Sequence, residues 1–128
     1  MAIILLDSSV IIALLNDNDI HHDVASKVLR NCTDTICIAT LTITESLVST
    51  FYDSYERALL LFTKILEFTG IHIELSTGIA FASAQVRATK KLALADSIIF
   101  ATAQSVQAEL WTFDKELAAK YPNSRMLA

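Results

Sequence analysis

The chain of 128 residues has the length of one domain, and 53% hydrophobic against 19% charged residues is enough for a core without staples. With two glycines (70 and 78) and one proline, no glycine-built phosphate loop of the GxxxxGK or GxGxxG kind can be written, and a turn-rich β-sandwich and disorder are both disfavoured. A formal net charge of −4 excludes a broad basic footprint, so any nucleic-acid contact must come from a local patch or from bound cations.

The run AIILL over 2–6 predicts a short buried strand. Ser8 and Ser9 offer a cap before VIIALL, a predicted helix, and NDND over 16–19 is a polar break. From 20 to 30, Ile20, Val24, Val28 and Leu29 follow helical spacing. ICIAT over 36–40 predicts a strand, Thr42 opens a helix through SLVSTFY, and Ser54 caps the next. In that helix Ala58, Leu61, Phe62, Ile65 and Leu66 share a face, and Gly70 is placed to end it as a C′ residue. IHIEL over 71–75 alternates as a strand, and Ser76 or Thr77 opens a helix through Lys90. Asp96 opens another helix through about Gln107. LWTF over 110–113 predicts a strand, 115–120 a short helix and 124–127 a final strand. Strands separated by helices predict an α/β fold: three α/β/α layers on a mainly parallel sheet of four to five strands.

No apolar stretch reaches the ~18 uncharged residues of a membrane span. The apolar start is no signal peptide either, because its first cation is Lys27 and Asp7 interrupts it. A cytoplasmic protein without membrane contact is expected. Cys32 and Cys37 read as free thiols, since an extended segment of that length spans ~17 Å. His21, His22 and His72 show no zinc spacing with them.

Most of the 14 acids have polar neighbours; four sit among apolar residues instead. They are Asp7 in IILLDSSVII, Glu45 in LTITESLV, Asp96 in LALADSIIF and Asp114 in LWTFDKEL. Each has a local explanation. Asp7, Asp96 and Asp114 are placed as helix N-caps, and Thr42 with Glu45 spells a capping box. Glu74 ends IHIEL but alternates with His72 on the solvent side. The second explanation is convergence. In a parallel sheet all strand C-termini share one edge, where open α/β folds bind ligands. At ~6 Å and an effective dielectric of 20, each carboxylate pair repels by roughly 3 kcal/mol. A hard divalent cation such as Mg²⁺ or Mn²⁺ offsets that, whereas zinc is disfavoured without His or Cys.

Asp7-Ser8-Ser9 after the first strand, Glu45, Asp96 in LALADSIIFATA and Thr112-Phe113-Asp114 after a late strand resemble the four acidic motifs of a PIN domain. The short length, with the resemblance covering 1–128 as one PIN-like domain, is similar to the VapC-type ribonuclease toxins of that group. The resemblance implies an Mg²⁺- or Mn²⁺-dependent endoribonuclease, a hydrolase that cleaves RNA phosphodiesters with a metal-activated water. It implies Asp7, Glu45, Asp96 and Asp114 as catalytic metal ligands or their supports, with Ser8 and Thr112 as supporting hydroxyls. It also implies a small antitoxin protein as partner, and a homodimer. Arg87, Lys90, Lys91 and Lys115 are either phosphate contacts or an ordinary solvated face. Phe51, Tyr52, Tyr55, Phe62 and Phe68, at helical spacing, read as core rather than as base-stacking groups. The apolar helix over 58–68 is either central to the core or covered by a second subunit. Two other readings are a housekeeping RNA-processing nuclease and an Mg²⁺-dependent aspartyl phosphoacceptor. Against the latter, a haloacid-type site wants D-x-D where Ser9 stands.

Overall fold

The short apolar runs become strands of one sheet, and the amphipathic stretches cover it. In the computed structural model, which describes residues 2–127, the elements run β1 (Ile3–Leu6), α1 (Ser8–Leu15), α2 (His22–Arg30), β2 (Thr35–Ala39), α3 (Thr40–Phe51) and α4 (Tyr55–Phe68). They continue with β3 (Ile71–Ile73), α5 (Thr77–Lys90), α6 (Leu94–Ser105), β4 (Glu109–Thr112), α7 (Lys115–Lys120) and β5 (Ser124–Met126). All five strands are parallel, in the order β3-β2-β1-β4-β5. This is the expected three-layer α/β/α architecture.

Side-chain alternation along the central strands splits the core in two. Ile4, Leu6, Ile38 and Trp111 pack with helices α1 to α4, through Val10, Ile11, Leu47, Leu61 and Ile65. Leu5, Cys37, Ala39 and Leu110 pack with helices α5 to α7, through Val86, Ile99, Phe100 and Leu117. β1 sits mid-sheet, with Leu5 opposite Cys37 on one side and Leu110 on the other. Cys32 and Cys37 are free, and burial pushes the Cys37 thiol up to about 11.

Three expectations are corrected. α3 opens at Thr40 and α6 at Leu94, so neither Thr42 nor Asp96 is the first residue of its helix. α4 ends at a Thr69 cap, and Gly70 takes no left-handed conformation; its N–H instead bonds the carbonyl of Ile36 and leads into β3. The left-handed positions fall on Lys91 and Gln107, at the turns before and after α6. Finally, Phe51, Tyr52 and Tyr55 are exposed, with only Phe62 and Phe68 packed against the core. α4 is not central: Ala58, Leu61 and Ile65 are buried, but Leu59, Leu60 and Leu66 face outward. Among the described residues no helix is long and apolar enough to cross a membrane.

Leu5 lies fully buried in the central strand. Leu5→Ala should lower unfolding free energy by about 2–5 kcal/mol, read as a shifted midpoint in urea at unchanged slope.

Candidate functional site

Strand order reverses at β1: one crossover series leads to β2 and β3, the other to β4 and β5. Carboxyl ends of strands at such a point frame a crevice, and both central strands end there in acids. Asp7 follows β1, and its N–H extends the ladder to the carbonyl of Trp111 (3.1 Å). Thr112 ends β4, and Asp114 follows two residues later.

Asp7 does not cap a helix with its side chain. Its carbonyl accepts from the N–H groups of Val10 and Ile11 as α1 begins, but its carboxylate makes no cap bond. Instead the carboxylate is buried, with the residue 4% exposed. Its Oδ2 accepts from Ser9 Oγ (2.9 Å) and Thr112 Oγ1 (2.8 Å). Each hydroxyl is held in turn from below: Thr112 Oγ1 accepts the Asp114 N–H (2.9 Å), and Ser9 Oγ accepts the Phe113 N–H (3.1 Å). With its acceptor role filled, each hydroxyl directs its single proton at Asp7. No hydrogen bond among the described residues reaches Oδ1, so that oxygen keeps its acceptor capacity.

Thr112, expected as a supporting hydroxyl, bonds the Asp7 carboxylate directly. Ser8 makes no hydrogen bond to Asp7 among the described residues; its influence falls on Glu45, whose charged form it favours. Ser9 supports Asp7, and sequence reasoning missed it. The signal was its i+2 spacing, at which a hydroxyl reaches back to an acid before a helix. Glu45 lies in the second turn of α3 and its capping box does not form. Thr42 is buried inside the helix, and its Oγ1, like Ser46 Oγ, lacks a hydrogen-bond partner among the described residues. Asp96 lies in the first turn of α6 behind an Ala93 cap. Asp114 does cap: its Oδ1 accepts from Glu116 N (2.9 Å) and Leu117 N (3.2 Å). Glu74 is exposed just beyond β3.

The acids feel one another. Burial raises the Asp96 carboxyl to about 6, reinforced by the negative charges of Asp114, Asp7 and Glu116. Burial also raises Glu45, with Asp7 and Asp96 adding to the shift and the Ser8 hydrogen bond opposing it. Glu116, two positions beyond Asp114, is a further carboxylate that the sequence reading left out. Among the described residues no three His, Cys, Asp or Glu side chains are gathered closely enough to hold an ion between them. The coupling is through space. The donor set is oxygen only, and it fits a hard cation that keeps part of its water shell and takes one or two carboxylates directly.

The basic residues divide. Arg87 Nη1 donates to the carbonyl of Leu92 (2.5 Å), which anchors one arm of the exposed guanidinium at the turn before α6. Lys90, Lys91 and Lys115 are exposed near the ends of the helices that bear Asp96 and Asp114.

Among curated proteins none matches the chain by sequence. Solved structures do. A toxin–antitoxin complex from Klebsiella pneumoniae aligns over 100% of this chain and 98% of its own, with 28% identity and a TM-score of 0.78. VapC20 of Mycobacterium tuberculosis, described as a sarcin-ricin loop cleaving toxin, aligns over 95% and 98% at 16% identity and TM-score 0.80. DNA-bound VapBC from Salmonella typhimurium aligns over 98% and 96% at 20% identity and TM-score 0.73. The PIN domain family profile matches residues 4–121, nearly the whole chain. The chain thus belongs to the PIN domain family.

Proposed function

We propose that the protein is a divalent-cation-dependent endoribonuclease and the toxin of a toxin–antitoxin pair. The observation that carries the reading is the mutual coupling of Asp7, Glu45, Asp96 and Asp114 at the switch-point edge, with Asp7 anchored through one oxygen and open at the other. Burial first, and neighbouring acids second, disfavour the ionised forms of Glu45 and Asp96, and a divalent cation would offset both. When bound, Mg²⁺ or Mn²⁺ supplies a more acidic water and offsets charge on the phosphate.

This chain's residues do the rest. Ser9 and Thr112 hold Asp7 in one orientation, and Ser8 favours the charged form of Glu45. Asp96, lifted to about 6, is suited to take the proton that the attacking water gives up near neutral pH. The water oxygen bonds to phosphorus, the bond to the 3′ oxygen breaks, and a 5′ phosphate and a 3′ hydroxyl result. Lys90, Lys91 and Lys115 supply phosphate contacts. Arg87, with one nitrogen bonded to Leu92, has further N–H donors to add to that set.

The partner chemistry follows the similarity to toxin–antitoxin complexes. A groove of about 700 Å³ between α1, α2 and α4, lined by Leu14, Leu15, Leu29, Cys32, Ile36 and Phe68, suits an apolar antitoxin segment. The outward Leu59, Leu60 and Leu66 of α4 suit a second copy of the chain.

With total RNA and Mn²⁺, the wild type should cleave to 5′-phosphate ends. Asp7→Asn should retain the fold by circular dichroism and lose at least about 10²-fold in rate; undiminished cleavage would remove the acidic site from the reaction.

Metal-free stability provides a second check. The folded Asp96 value of about 6 lies above its ordinary 3.8, so the folded state holds that proton more tightly. This stabilising contribution is complete below the ordinary value and is lost as pH rises through about 6. In EDTA, Asp96→Asn should therefore flatten the fall in Tm across that window and melt above wild type at pH 7. Mn²⁺ at pH 7 should raise the wild-type Tm more than the variant's. Parallel melting curves for the two proteins would refute the charge crowding.

A further inference from the structure

Two cationic side chains are spent on the backbone of the turn between α5 and α6. Arg87 reaches it from its own helix. The other comes from far along the chain: Lys120 Nζ, at the end of α7, donates to the carbonyl of Lys90 at 2.7 Å. The same ammonium meets Glu116 Oε1 at 3.2 Å, one turn back on α7. Both bonds lie at the exposed surface, although the Lys120 side chain as a whole is only 32% exposed. Cationic groups often satisfy the last carbonyls of a helix, but here the donor belongs to a different helix.

The consequence lies at the opposite ends of the two linked elements. α7 is a bar of six residues, ~9 Å long, with Asp114 capping its start and Lys120 at its finish. The turn that Lys120 grips runs through Lys91, held at φ 59, into α6, whose first turn carries Asp96. Asp114 is the strongest of the charges acting on Asp96. Repulsion between them drives the start of α7 away from the start of α6. The Lys120–Lys90 bond is a polar tie between α7 and the α5–α6 turn, and it opposes that movement.

We propose that Lys120 is a positioning residue: by bonding the carbonyl of Lys90 it ties α7 to the turn before α6 and limits how far Asp114 moves from Asp96, two carboxylates that would take a divalent cation. This rests on the reading that these carboxylates take such a cation. Lys120 touches neither the cation nor the RNA, and acts through Asp114.

Calorimetric titration with Mn²⁺ tests it without any RNA. Lys120→Met keeps the stem and removes the donor; Lys120→Arg keeps a donor. Lys120→Met should weaken Mn²⁺ binding by about three- to tenfold, below the 10–100-fold seen for groups bonded directly to metal ligands. Lys120→Arg should recover most of the affinity. In an Asp114→Asn background, Lys120→Met should cost nothing more. Cleavage by Lys120→Met should need more Mn²⁺ yet reach the wild-type rate at saturation, with KM for RNA unchanged. A lower Tm with wild-type Mn²⁺ affinity would make Lys120 a plain stabiliser and overturn the proposal, as would an equal loss in the Asp114→Asn background. If wild type binds no Mn²⁺, the metal reading falls and this proposal with it. If it binds Mn²⁺ but leaves RNA intact, only the nuclease reading falls, and the binding ratios still decide the role of Lys120.

Discussion

The arrangement depends on a buried carboxylate that is paired with hydroxyls rather than with a cation. Asp7 is withdrawn from water, and an ionised carboxylate without partners carries a severe desolvation cost. Ser9 and Thr112 offset it through two hydrogen bonds to a single oxygen, and such charge-assisted bonds are roughly twice as strong as neutral ones. The Thr112 bond also crosses between neighbouring strand ends, so the polar site and the β1–β4 pairing share one geometry. Backbone N–H groups of Phe113 and Asp114 orient both hydroxyls. A four-residue stretch, 111–114, thus supplies ladder carbonyl, hydroxyl, orienting N–H groups and a further acid.

Helix ends offset part of the crowding of charge around Asp7. Asp7 and Asp114 stand at the N-caps of α1 and α7, and Asp96 lies in the first turn of α6. A helix N-terminus favours an acid by about 0.3–1 kcal/mol, whereas a carboxylate pair at ~6 Å repels by about 3 kcal/mol in an effective dielectric of 20. The dipoles do not close that gap. Burial, reinforced by the charges of Asp114, Asp7 and Glu116, raises the Asp96 carboxyl to about 6, so that group takes up a proton as pH falls toward that value. The same imbalance explains why the side chains stand apart, coupled through space but not gathered around a point.

The layered fold was legible because continuous apolar runs and amphipathic stretches alternate along the whole chain, and every predicted strand and helix has its counterpart. The four acids were legible for a related reason: charge in apolar company is rare enough to stand out. Local chemistry was a poorer guide to what each acid does. Asp7 has the sequence of a cap and makes no cap bond; Thr42 and Glu45 spell a capping box inside a helix that had already begun at Thr40. Only at Asp114 does the local reading hold, and there it coexists with the site. Ser9 escaped because its spacing to Asp7 reads equally as a helix cap, and Glu116 because its influence on Asp96 acts between residues distant in sequence. Phe51, Tyr52 and Tyr55 misled because helical spacing identifies a face without saying whether anything covers it.

The helix that carries Asp96 is bounded by two residues no spacing rule would select. Lys91 (φ 59) precedes it and Gln107 (φ 53) follows it, both left-handed and neither a glycine. Such positions cost of order 1–3 kcal/mol each unless the surroundings hold them in place. Both have such surroundings. At the first turn, carbonyls accept from Arg87 and Lys120; at the second, the Ala108 N–H bonds back to the carbonyl of Ala103 (2.9 Å). Between the turns, Ile99, Phe100, Ala101 and Ala103 are buried in the core on the α5–α7 side of the sheet. A helix clamped by packing along its length and by strained turns at both ends has little freedom to slide or rotate. Asp96 is therefore held, by the fold rather than by any local preference of the carboxylate, where burial and the charges of Asp114 and Asp7 disfavour its ionised form.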